Sequence, residues 1–394
     1  MIRRKAAALA IIGSILALLI SGCGSDPTAT PIPPTATPVP VAAEPTPTPD
    51  PFLTEWAALK AAAATEGELI AFFCCAFGRN GKDLMVEAEK ELGIKIVMST
   101  GSSRQQWAKV EAERAAGVYS LDVWTGGLRT SNNRLLPGGA LRNLKELLIH
   151  PEVLDESLWF GGHFWGDNHK DSNRVFAYGG GASLAEITYN TDLLDPAEIT
   201  SYKDLLDPKW KGKIIARDPR EAGTSQGTAL YYTLMGKDFL RDLLTTQDIT
   251  FTSDARMAAE QLALGAYAIC LFACGTEVEA ARKDGLPVQE DFPNALDEGS
   301  RISTGGNTLM ALDGAPNPNA QKLFVNWFLT KHGQDWWQRI TATQSLRNDI
   351  PIDVVTPTGR REAGKTYILM ERDVNFQATL EEAVNYVKEV MQGI

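Results

Sequence analysis

The chain has 394 residues, 44% of them hydrophobic and 22% charged, with a formal net charge of −11. Those values are ordinary for globular proteins and exclude a wholly disordered chain, a collagen and a disulfide-dense toxin. The acidic balance argues against a nucleic-acid partner, because phosphate contacts need clustered Lys and Arg.

The first segment is a leader. Arg3, Arg4 and Lys5 precede a run from Ala6 to Ile20 that is apolar except at Gly13 and Ser14. A basic n-region followed by a short apolar h-region is the pattern of a secretory signal. The run is short for a bilayer span, which takes about 20 apolar residues. Ile20, Ser21, Gly22 and Cys23 resemble the lipobox of bacterial lipoproteins. That resemblance implies a signal peptide over 1–22, cleavage before Cys23 and lipidation of its thiol. The plainer alternative is a secretory signal with a chance cysteine. Arg3 and Arg4 also raise twin-arginine export, but the flanking residues fit that pattern poorly. Cleavage removes three basic residues and no acids, so 38 basic residues become 35 against 49 acidic, a net charge of −14.

Residues 24–52 hold ten of the 21 prolines, interleaved with Thr and Ala. Proline locks φ and lacks an N–H, so helix and sheet are both disfavoured there. The stretch reads as an extended tether, with a reach of up to about 3.1 Å per residue. Composition alone also makes its threonines weak candidates for O-glycosylation.

From about residue 53 the pattern alternates between strand and helix. Residues 68–73 read as a buried strand. Residues 83–92 read as a helix with Leu84, Met85, Ala88 and Leu92 on one side, stopped at Gly93. Residues 94–98 are the next strand, 102–116 a helix, and 121–124 a third strand ending at Gly126 and Gly127. This alternation predicts parallel pairing with crossover helices. A second α/β unit follows. Its strands are 185–189, 213–216, 249–251 and 267–272, and its helices 201–206, 226–235, 237–244 and 255–264. Residues 319–329 and 332–340 form a helical pair, and 375–391 a final amphipathic helix.

Several stretches, in this order, resemble the extracellular solute-binding proteins of ABC importers, of the ferric-iron, polyamine and thiamine type. They are Leu92 to Ile96, Glu113 to Gly117 leading to Asp122 and Val123, and Tyr189 to Thr191. The most specific is Asp204 to Ile214, and Gly314 to Phe324, Gly333 with Gln334, and Arg347 to Asp349 follow. The resemblance implies an α/β, two-lobed, periplasmic-binding-protein-like fold of type II. Each lobe would be a mainly parallel sheet flanked by helices, and hinge strands would join the two. The expected division is 53–178 with 313–345 as lobe 1, 191–297 with 346–394 as lobe 2, and crossings at 179–190 and 298–312. The implied function is capture of a small molecule or ion between the lobes and delivery to a permease and ATPase. The protein would be a lipid-anchored monomer on the extracytoplasmic side of the cell membrane, without a cofactor. A ligand-sensing subunit for a membrane receptor is an alternative, and a surface-anchored hydrolase with paired carboxylates a weaker one. No nucleophile-elbow, zinc-protease or Walker motif occurs, so no enzyme is expected. Gly179 to Gly181 are not followed by a nucleotide-binding helix.

In open parallel sheets, ligands sit beyond the carboxyl ends of strands. That rule selects Cys74 and Cys75, then Gly101, Ser102 and Ser103, then Trp124, Thr125 and Gly126. In the second unit it selects Asp218 with Gly223, Thr224 and Ser225. Gly101 to Ser103 and Gly223 to Ser225 each open a helix, and helix N-termini suit anions; plain N-capping is the equal alternative. Trp124, Trp165 and Tyr267 could stack on an organic ligand, although aromatics more often pack cores. Arg220 and Arg347 could pair with an anion, with solvated arginines as the bland reading.

The cysteines are the unusual feature. In an exported chain a Cys270–Cys274 disulfide is the first expectation and a vicinal Cys74–Cys75 bridge the second. Free buried thiols remain an alternative, as does a soft-metal site made from all four. His150, His163, His169 and His332 show no metal-ligand spacing. Ferric binders of the resembled family place adjacent tyrosines after the strand matching 267–272. Ala273 and Cys274 stand there instead. Tyr231 and Tyr232 are adjacent but lie in a helix where core packing is expected, so an organic or oxyanion ligand fits at least as well as iron.

Overall fold

The computed structural model describes residues 50–393 except 168–171, 184–185, 222–223, 273, 290–291, 293–294 and 357–358. The leader, Cys23, the tether before residue 50, His169 and Gly223 lie outside the described residues. Among the described residues no helix is long and apolar enough to cross a membrane.

The first described residue is Asp50, whose carboxylate accepts the Phe52 N–H at 2.9 Å and caps α1 (Pro51–Glu66). Pro51, read from sequence as the end of the tether, is the first helical residue. A proline fits there because that N–H has no intrahelical partner anyway. Next come β1 (Glu68–Phe73), α2 (Cys75–Asn80) and α3 (Lys82–Leu92). Helix α3 buries Leu84, Met85, Ala88 and Leu92, and stops at Gly93 with φ 71°. A left-handed residue costs glycine nothing, since it has no Cβ. Strand β2 (Lys95–Thr100), α4 (Ser103–Ala115) and β3 (Val123–Gly126) follow. Strand β1 lies between β2 and β3, parallel to both, as the alternation predicts. A less regular stretch carries α5 (Leu128–Thr130), α6 (Pro151–Leu154), β4 (Phe164–Trp165) and β5 (Phe176–Ala177).

The chain continues through β6 (Gly181–Ser183), β7 (Ile187–Asn190), β8 (Ile214–Arg217) and the long α7 (Ser225–Thr246). Gly236, at φ 81° and ψ 175°, kinks α7 at the place where the sequence separates two helices. Then come β9 (Thr250–Thr252), α8 (Ala255–Ala263), β10 (Ile269–Leu271), α9 (Gly275–Lys283) and β11 (Val288–Gln289). The last elements are β12 (Ser300–Ser303), β13 (Thr308–Ala311), α10 (Pro318–Leu329), α11 (Lys331–Thr341), β14 (Tyr367–Ile368) and α12 (Phe376–Val390).

Among the described residues the strands form three sheets, ordered β2-β1-β3-β13-β5-β4, β11-β7-β10-β8-β9 and β14-β12-β6. The two large sheets each have a parallel core, but β13, β5, β4, β7 and β11 add to them antiparallel. The lobes are therefore mixed sheets, not the mainly parallel ones expected. A strand delivered straight from a hinge needs no crossover helix, so it can enter antiparallel. The small third sheet lies between the two in chain order. The chain leaves the first large sheet at β5, passes through β6 and enters the second at β7. It returns through β12, antiparallel to β6, into β13.

A third passage follows. Arg347 bridges to Trp159 and Ser345 to Gly179, and the Asn348 N–H donates to the Leu158 carbonyl at 2.8 Å. Residues 345, 347 and 348 are thus paired with residues of the 158–179 stretch. Strand β14 then pairs parallel with β12, and α12 packs on α7. The hinge is tightly packed. A Cβ on Gly179 would lie 2.1 Å from the Trp337 ring, and one on Gly180 2.5 Å from Ile302. Gly179 and Gly180 thus permit close approach of the chain to α11 and β12.

Candidate functional site

A cavity of about 430 Å³ opens between the two lobes, within the range of about 300–1,000 Å³ typical of small-molecule clefts. Its first wall is Gly127 to Arg129 and Asn132, just beyond the carboxyl end of β3. The opposite wall is Ser225 and Gln226, the first two residues of α7. The hinge adds Ser303, Thr304 and Gly305 at the end of β12, and the C-terminal segment adds Glu371, Phe376, Gln377 and Leu380. Two of the walls thus lie at the carboxyl end of a strand and at the start of a helix.

Behind this surface lies a buried charge network. Arg301 on β12 pairs with Glu186, both nearly inaccessible, and donates to the Gln226 side-chain oxygen at 2.7 Å. Burial pulls the Arg301 guanidinium down, but the Glu186 and Glu371 carboxylates outweigh it and hold its pKa above the ordinary value. Glu371 is itself buried, and the Ser303 hydroxyl donates to its Oε1 at 3.4 Å. Its Oε2 has no hydrogen-bond partner among the described residues. Burial raises the Glu371 pKa, and Arg301 opposes this only in part.

Of the residues singled out from sequence, Ser225 lines the cavity and Gly126 immediately precedes it. Thr224 is buried, and its hydroxyl donates to the Asp218 and Glu221 carbonyls, both at 2.8 Å, so it braces the loop instead of facing ligand. Asp218 is held by Arg220, whose Nε and Nη2 donate to it at 2.8 and 2.6 Å. That pairing lowers its pKa and occupies both side chains. Gly101 and Ser102 are exposed, and Ser102 caps α4 without a side-chain bond. Ser103 lies close to Gly126, its Oγ 3.6 Å from where a Cβ on that glycine would stand.

Four expectations are corrected. Trp124 is wholly buried against Phe72, with ring centroids 4.5 Å apart, and belongs to the core. Thr125 is also wholly buried, its hydroxyl oxygen accepting the Cys74 N–H at 3.3 Å. Tyr267 precedes β10 and so sits at the amino end of that strand, away from the cleft; its hydroxyl donates to Thr250 at 2.9 Å. Arg347 is wholly inaccessible, donating to Asp349 and to the carbonyls of Glu152 and Leu329. Trp165 packs on Phe176, Tyr231 is core, and the Tyr232 hydroxyl donates to Glu382.

Cys74 and Cys75 form one disulfide, and Cys270 and Cys274 another, each within one lobe. This pairing leaves no thiolates for the four-cysteine metal site. The vicinal bridge packs on the hinge turn beside the cleft. A Cβ on Gly306 would lie 2.5 Å from the Cys75 sulfur and 3.1 Å from that of Cys74. Cys75 holds φ 61°, a left-handed conformation unusual for a side-chain-bearing residue. Elsewhere, on the surface, Glu87, Glu91 and His332 bring one ligand atom each within 4.8 Å of one another. The i, i+4 spacing of the two glutamates on α3 is legible in sequence, but their meeting with His332 depends on helix packing.

Sequence reasoning missed Arg129, Asn132, Ser303, Thr304, Glu371 and Gln377. Gly126 and Gly127 give a local signal for the first two. The others arrive from hinge and C-terminal segments with no motif.

A two-lobed molecule with a hinge sheet and one polar cleft defines a class, the type II periplasmic binding proteins. Residues 83–351 match the family described as bacterial extracellular solute-binding protein, and the chain belongs to that family. It is 26% identical over 309 residues to an uncharacterized protein of Haemophilus influenzae, covering 74% of this chain and 81% of that one. Among solved structures it resembles a Trichodesmium protein in complex with iron and citrate, with TM-score 0.59 and 17% identity over 82% of this chain and 99% of that one. It also resembles ferric iron-binding protein A of Mannheimia haemolytica in an open conformation, with TM-score 0.59 and 15% identity over 82% and 98%. Iron-bound HitA from Pseudomonas aeruginosa gives TM-score 0.51 and 18% identity over 82% and 99%. At these identities the likeness shows the fold. The family and its structural neighbours are binding proteins, not enzymes.

Proposed function

We propose that this protein is a lipid-anchored solute receptor that captures a polar organic ligand in the inter-lobe cleft and delivers it to an ABC permease. The observation that carries the reading is the cleft itself, lined from both lobes and floored by the hinge. Closure of the lobes about that hinge would bury the ligand and create the form a permease recognises. Cys23 is the proposed anchor and residues 24–49 the tether, placing the head on the extracytoplasmic side of the cell membrane. The structural relatives named for iron supply one candidate ligand. Among the described residues, the cleft lining includes one carboxylate and no tyrosine or histidine, which favours an organic ligand.

The test is a thermal-shift screen of the full chain against metals, polyamines, oxyanions, amino acids and phosphonates. A cleft ligand at 100 times its Kd adds about 2.7 kcal/mol of stability. A flat response across the whole panel would remove the receptor reading. In the native host, Cys23→Ala is expected to move the protein from the membrane to the soluble fraction, and unchanged membrane retention would remove the anchor.

A further inference from the structure

The charge layout of the cleft narrows the ligand class. Glu371 is a buried carboxylate that lines the cavity, and one of its oxygens has no hydrogen-bond partner among the described residues. The nearby guanidinium, Arg301, is already paired with Glu186 and bonded to Gln226. A buried carboxylate in this state is short of a cationic donor. On the first-lobe wall Arg129 is exposed, and no ion pair to it occurs among the described residues. Two long helices, α7 and α12, present their first residues to the same cavity, at Ser225 and at Phe376. Neither helix has a side-chain hydrogen bond from its N-cap residue, Thr224 or Asn375. Helix starts of this kind favour negative charge.

We propose that the cleft binds a small zwitterion, its anionic group held by Arg129 and the α7 and α12 N-termini and its protonated amine by Glu371. This rests on the cleft being the ligand site. A purely anionic ligand would bring a second negative charge toward Glu371. A purely cationic one would leave the exposed Arg129 without a counter-charge. The ammonium end supplies the donor that the free oxygen lacks and keeps the carboxylate ionised against its burial.

Isothermal titration of the full chain with matched triplets tests the assignment. One series consists of ω-amino carboxylates of increasing chain length, with the corresponding amine-free carboxylates and acid-free amines. A second series replaces the carboxylate by phosphonate. The expected result is that one zwitterion binds at least about tenfold more tightly than either of its truncated counterparts, the scale of one charge-assisted hydrogen bond. Glu371→Gln should lose that preference by weakening the zwitterion while sparing the amine-free anion, and Arg129→Met should weaken both. The unliganded melting of each variant reports whether it folds, and the wild-type triplets decide the matter even where a variant does not. Equal or tighter binding of the amine-free anion overturns the proposal, as does zwitterion affinity unchanged by Glu371→Gln. If no member of either series binds but another compound of the wider screen does, the zwitterion assignment falls and the receptor stands. If nothing in the screen binds, both fall.

Discussion

Arg347 shows how a side chain suited to grip an anion can be spent inside the fold. Its Nε and Nη2 donate to the Asp349 carboxylate, both at 2.9 Å, and its Nη1 donates to the Glu152 and Leu329 carbonyls, both at 3.1 Å. The guanidinium also lies 5.5 Å from the Trp159 ring. It therefore ties α6, the end of α10 and the segment after α11 together. Arg347→Met leaves those acceptors without donors, and a loss of about 3–5 kcal/mol is expected in urea unfolding. A change below about 1 kcal/mol would show the network to be dispensable. The sequence makes the residue conspicuous, as part of Arg347, Asn348 and Asp349, but not its direction. Whether an arginine faces water or core depends on which carbonyls the fold brings to it. The same limit applies to Trp124 and to Tyr267, whose exposure is decided by neighbours far away in sequence.

Elements with a strong local period are legible, and those defined by tertiary context are not. Helix α3 shows its buried face directly in the spacing of Leu84, Met85, Ala88 and Leu92. The Gly236 break in α7 is equally local. Helix α1 is alanine-rich and buries only Leu59 and Ala63, so its sequence carries little periodicity. It is fixed instead by partners: the Glu66 carboxylate accepts the Asn319 and Ala320 N–H groups at the start of α10. The hinge strands are also invisible to periodicity, yet the glycines beside them are informative. Gly179→Ala would drive a Cβ into Trp337 of α11. Overpacking of this kind costs typically about 1–3 kcal/mol, and the variant should show that loss in denaturant midpoint, while a Gly181→Ala control, whose Cβ would meet only the Thr343 side chain at 3.6 Å, should not. A neutral Gly179→Ala would mean that the hinge and α11 can separate freely.

At the scale of the molecule, three passages of the chain join the lobes, and the last one completes the cleft. Helix α12 packs on α7, buries Phe376, Ala383 and Val387, and contributes Phe376, Gln377 and Leu380 to the cavity wall. Three buried apolar side chains represent about 4 kcal/mol or more of stability. Truncation after Asp373 is therefore expected to lower stability by at least that amount and to abolish every ligand-induced shift in melting. Retained ligand response in the truncated chain would mean that the C-terminal segment is no part of the site. The packing of α1 has a mechanical consequence as well. The proposed tether would lead into the head at α1, and α1 is fastened to α10 by Glu66 and by the Lys322–Glu55 ion pair. Any pull from the proposed anchor is thus borne by the first lobe alone. On the proposed anchoring, that lobe would be the fixed jaw of a vice, and the second lobe, hung from it by three strands of chain, the jaw that travels.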